Sequence, residues 1–127
     1  SKVCMKLLLS ITALLEGATG LALLTIPMVV VSLLLGVPLT DHSGILLGRI
    51  GGAALISLAI ACWLSRNYTQ SSIILIKALV MYNTGAAILL VYAGQLENFS
   101  GIGLWPAILL HAGLLVWCVQ SIRKSQK

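Results

Sequence analysis

The sequence predicts an all-α membrane protein, a bundle of four transmembrane helices with both termini cytoplasmic. Three observations carry that prediction. The chain of 127 residues is 59% hydrophobic and only 9% charged, more apolar surface than a soluble domain of this length can hide. Its apolar residues fall into four runs, each long enough to supply the ~20 residues that a helix needs to cross a bilayer. Its lysines and arginines gather at alternate ends of those runs, which is the pattern of the positive-inside rule.

The first span covers residues 7–35 and is longer than a crossing requires, with Pro27 placed to kink or end it. Lys2 and Lys6 precede it, but the apolar run is too long for a signal peptide and no small-residue cleavage site closes it. The second span, 44–64, carries Gly48 and Gly52 as a GxxxG pair, continued by Ala53, Ser57 and Ala61. The third span, 72–93, holds Lys77 near its start, from where the side chain can snorkel back to the surface. The fourth, 102–120, opens with Trp105-Pro106, a helix-start signature. The connectors GVPLTDHSG, SRNYTQSS and GQLENFSG are short and turn-rich, and none is long enough to form a domain.

Orientation follows from charge. Lys2, Lys6, Arg66, Arg123, Lys124 and Lys127 mark one side, whereas the first and third connectors contain Asp41 and Glu97 and no lysine or arginine. Aromatic residues fit the same layout, with Trp63, Tyr68 and Trp117 at the inner interface and Tyr92, Phe99 and Trp105 at the outer one. The net charge of +5 is explained by these flanks, so no nucleic-acid partner is expected. Membrane lipids are.

A polar layer crosses the middle of the bundle. At 1.5 Å per residue Glu16 lies roughly 15 Å deep, and Asn83 and His111 reach the same level. Tyr82 is the one deep aromatic residue. Arg49 sits closer to the outer edge, within reach of Glu16 or of headgroups. A charge at a helix centre costs about 2.5–3.5 kcal/mol on insertion scales, so it normally turns inward and finds a partner. Coupling of Glu16 to Arg49 is therefore expected. Thr12, Ala13, Thr19 and Gly20 surround Glu16 with small side chains, and with Gly48 and Gly52 they predict close packing of the first two spans.

Cys4, Cys62 and Cys118 form no CxxC pair and no metal-ligand spacing with His42 or His111. They read as small apolar fillers. Asn83 and His111 read first as interhelical hydrogen bonders. The chain has no P-loop, GxSxG elbow, HExxH or paired carboxylates. It is expected not to be an enzyme, and no cofactor or metal is expected.

The segments LLEGATGLALLTIP, LLGRIGGAALISLAIACWLSR, MYNTGAAILLVYAG and LWPAILLHAGLLVW together resemble the small, uncharacterised DoxX-like four-helix proteins of bacteria. The resemblance implies a multi-pass bundle in the bacterial inner (plasma) membrane, and it carries no agreed activity onto any residue. Glu16 in ALLEGATG also resembles the membrane-embedded glutamate of small multidrug transporters, but the later helices lack that family's aromatic and glycine pattern.

Two functional readings follow. The first is a non-enzymatic accessory subunit, packed in a larger membrane complex or against copies of itself. The second is a small transporter, or a protein binding a quinone, lipid or other small ligand, at a polar site made of Glu16, Arg49, Tyr82, Asn83 and His111.

Overall fold

The computed structural model describes residues 1–127 and contains five helices and no strand: α1 (Lys2–Thr25), α2 (Pro27–Leu35), α3 (His42–Ser65), α4 (Thr69–Gln95) and α5 (Leu104–Ser125). Four of them are long and apolar enough to cross a membrane. Only 21 of the 127 residues are buried, and many large apolar side chains are exposed, including Leu14, Leu47, Met81 and Leu109. An exterior of that kind is stable only against lipid.

The first predicted span is two helices. Proline has no N–H to donate, so the ladder of α1 ends as Ile26 N–H bonds Ala22 O at 2.7 Å. Ile26 adopts φ −132°, ψ 54°, and α2 restarts with Pro27 in its first turn, where a missing donor costs nothing. At nine residues α2 reaches about 14 Å, too short to cross a bilayer. It ends at Gly36, whose φ of 74° lies in the left-handed region that favours glycine.

α3 and α4 extend a few residues beyond the predicted runs at both ends, because backbone hydrogen bonding continues into polar flanks; α5 runs on past its predicted end but starts at Leu104, two residues after the predicted start. Asp41 caps α3, its Oδ2 accepting from Gly44 N–H at 2.6 Å. At the far end of α3, Ser72 Oγ donates to Ser65 O at 2.8 Å and fastens the turn into α4.

The helices associate in two antiparallel pairs, α1 with α3 and α4 with α5. In the first pair Gly20 meets Gly52. A Cβ built on Gly52 lies 2.6 Å from Gly20 O and 2.7 Å from Leu24 N, and one on Gly20 lies 2.7 Å from Gly52 O. Any side chain there would drive into backbone. Gly48 faces Pro27 in the same seam, at 3.2 Å from an added Cβ to the Pro27 ring.

Both termini lie at one end of the bundle, where Trp117 Nε1 donates to Cys4 Sγ at 3.1 Å. The apolar core occupies the same half, built from Met5, Leu8, Leu9, Ile76, Leu79 and Leu114 together with Cys62 and Cys118. All three thiols are free.

Candidate functional site

Three helices bring four polar side chains together. Consecutive residues on a helix point about 100° apart at 3.6 residues per turn, so Tyr82 and Asn83 on α4 address different neighbours. Tyr82 Oη donates to Glu16 Oε2 on α1 at 3.0 Å. Asn83 Oδ1 lies 2.9 Å from His111 Nδ1 on α5. The Tyr82 and His111 rings meet edge to face, with centroids 5.5 Å apart and an interplanar angle of 82°, a favourable aromatic geometry. Glu16, Tyr82, His111 and Asn83 thus form one connected cluster.

The protons can be placed by chemistry. Asn83 Nδ2 donates to Leu79 O at 2.9 Å, and a backbone carbonyl can only accept, so the amide oxygen faces His111. That oxygen also only accepts, which makes His111 Nδ1 the protonated nitrogen. In the neutral ring Nε2 then carries a free lone pair. No protein group bonds Nε2, or the second carboxyl oxygen of Glu16.

Glu16, Tyr82 and His111, with Thr19 one turn beyond Glu16, line a cavity of about 500 Å³, within the ~300–1,000 Å³ of ordinary ligand pockets. Their polar atoms lie at one end of it. From there the space extends toward the end opposite the termini, between apolar walls that include Val30 and Leu34 of α2, Leu90 of α4 and Ala107 of α5. Leu89 and Leu110 also line it, yet are 67% and 42% exposed, so the wall is open sideways to the bilayer. Asn83 is buried behind His111 at 1% exposure and acts on the cavity through that ring.

Arg49 is not part of this cluster, and no direct ion pair or hydrogen bond joins it to Glu16. Glu16 is 4% exposed and bonded to Tyr82, whereas Arg49 is exposed on α3, which contributes nothing to the cavity. The reason is rotational. Gly52 must face α1 and Gly48 faces Pro27 of α2, and Arg49, about 100° round the helix from Gly48, is turned outward. Arginine depth was legible in the sequence, but direction was not.

Two features of the site escaped sequence reading. The first is α2, which reads as the tail of a long span but serves as a wall; Pro27 was its only signal. The second is the Thr12 hydroxyl: Thr12 reads as one of the small side chains around Glu16, but it is fully buried one turn from Glu16, outside the cavity lining, with Oγ1 lacking any hydrogen-bond partner. His42, the first residue of α3, is exposed and outside the cluster. No group of three or more His, Cys, Asp or Glu side chains is positioned to hold a metal ion.

Compared with protein families, with characterised proteins and with solved structures, the chain matches none of them.

Proposed function

We propose that this chain binds a small amphipathic molecule inside the membrane, its polar head between Glu16, Tyr82 and His111 and its apolar part along α2, α4 and α5. The observation that carries this reading is the one-ended polarity of the cavity: a hydrogen-bonding floor beneath apolar walls. A purely structural polar layer would be filled by side chains. The unbonded Glu16 oxygen and His111 Nε2 favour a head with hydroxyl or other donors, such as a quinol or a long-chain alcohol. Exposure of Leu89 and Leu110 supports entry from lipid rather than from water.

The accessory-subunit reading draws on short connectors, the lack of a soluble domain or catalytic motif, and small-residue faces suited to close packing. Gly20 and Gly52 use such a face inside the chain, in the α1–α3 seam, and Gly48 packs against Pro27 of α2. In this proposal the termini are cytoplasmic, as the charge distribution supports, and the membrane is the bacterial inner membrane that the DoxX-like resemblance implies. The cavity then lies in the outer half of the bilayer.

The test is thermal unfolding in detergent, titrated with a short-tailed benzoquinol, a long-chain alcohol, and an alkane of matching length. The headed amphiphiles should raise the melting temperature as any native-state ligand does, and the alkane should not. Ala86→Trp, which fills the cavity from α4, should abolish the shift, and His111→Phe should weaken it. Equal shifts from the alkane and the headed compounds, or none from either, would overturn the reading.

A further inference from the structure

We propose a second binding site, for the phosphate of an anionic phospholipid, at the end of the bundle that carries the termini. It is separate from the cavity and does not depend on what the cavity binds. A pocket of about 150 Å³ lies between the start of α1 and the α3–α4 turn, and its polar lining is Lys2, Lys6, Arg66, Asn67, Thr69 and Ser72. At ~30 Å³ per water it holds roughly five waters, a space suited to a headgroup and too small for an acyl chain.

Three cations from two separate segments share this pocket without a carboxylate. The chain has only three acidic residues: Asp41 and Glu97 are in connectors at the opposite end, and Glu16 is committed to Tyr82 in the middle. Like charges brought together repel unless an anion lies between them. Arg66 is held in place without being neutralised. Its guanidinium donates to the neutral carbonyl of Trp63 and lies 3.5 Å over the Trp63 ring, which leaves its positive charge for another partner.

The pocket also receives the start of α4. Tyr68 precedes that helix without any side-chain cap, so its leading amides remain available to an anion and carry the positive end of the helix dipole. Ser72, 2% exposed, spends its hydroxyl on Ser65 O and fixes the turn that presents Arg66 and Asn67. Exposed Trp63 and Tyr68 flank the same turn, the placement typical of side chains at headgroup depth. A lipid phosphate reaches that depth directly, and a soluble phosphate offers the same chemistry.

The test compares the purified full chain with phosphatidylglycerol, phosphatidylcholine and inorganic phosphate, by melting temperature in detergent and by lipid retained in native mass spectrometry. Phosphatidylglycerol should raise the melting temperature by several degrees and remain bound, while phosphatidylcholine should do neither. Arg66→Gln and Lys6→Gln should each reduce the shift by half or more. Arg123→Gln removes the same charge from the same end outside the pocket, and should keep the shift. A shift from inorganic phosphate equal to that from the lipid, and lost with Arg66→Gln, supports the anion site and assigns it to soluble phosphate. Should Arg66→Gln fail to fold, exposed Lys6 carries the test. Equal losses from Lys6→Gln and Arg123→Gln would reduce the effect to general charge attraction and overturn the site, as would equal shifts from the two lipids.

Discussion

The two halves of this bundle use the same helices and differ in how those helices meet. In the half that carries the termini, side chains from α1, α3, α4 and α5 close around Leu8, Leu9, Ile76 and Leu114. In the opposite half, α1 is drawn onto α3 by Gly20, Gly52 and the Pro27–Gly48 contact. The α4–α5 pair has no equivalent glycine seam toward α1, and the space between becomes the cavity, walled by α2. A void can therefore arise without large voids being designed side chain by side chain. Tight approach on one side of a helix opens room on the other.

The largest expected effect tests the cause of that asymmetry. Gly52→Leu would push a side chain into the backbone of α1 and should cost about 3 kcal/mol or more, enough to deplete folded protein. Gly51→Leu is the control, since nothing lies within 4 Å of a Cβ there, and it should change the melting temperature little. Similar losses from both would mean that the seam does not hold the half opposite the termini open.

Next comes a direct contrast between halves. Leu8→Ala, in the packed half and fully buried, should cost about 2–5 kcal/mol, while Leu90→Ala, whose side chain already borders a void, should cost about 1 kcal/mol or less. Chemical denaturation of both variants measures the difference, and equal costs would erase the distinction drawn here.

A smaller effect concerns the boundary between the halves. Tyr82→Phe should cost about 0.6–1.5 kcal/mol, the usual worth of an interhelical hydrogen bond. In double-mutant cycles Glu16→Gln and Tyr82→Phe should be non-additive, whereas Glu16→Gln and Arg49→Gln should add to within about 0.5 kcal/mol. Coupling to Arg49 would place that arginine back at the site.

The smallest effect has the opposite sign. Thr12→Val keeps the shape and removes a buried hydroxyl with no partner, so stability should be unchanged or rise by up to about 1 kcal/mol. A clear loss would reveal a partner for that hydroxyl, and with it a polar path running from Glu16 into the packed half.

These contrasts also show where sequence reading stops in a membrane protein. The four spans were legible because bilayer thickness demands a minimum apolar length, and the break at Pro27 because proline lacks a donor. Depth was legible too: Glu16, Asn83 and His111 share a layer because each residue advances a helix by a fixed rise. Rotation was legible only where small residues demanded contact, at Gly20 and Gly52. In water the polar face of a helix marks its outside, but here Leu8 in the core, Leu90 at the cavity and Leu109 facing lipid are the same residue type. That degeneracy hid the cavity and made Arg49 seem a partner for Glu16.

α2 is fastened at both ends. Its start rests against Gly48 through Pro27. Its end is tied to the segment before α5, where Ser100 N–H bonds Leu35 O at 3.2 Å and Gly103 N–H bonds Leu33 O at 2.8 Å. In mechanical terms it is a beam on two supports, not a flap on one hinge. Between those two supports, Val30 and Val31 line the cavity. Under the proposed function, a ligand enters beside α2 instead of behind it, and a bulkier one meets a wall held at both ends rather than a latch.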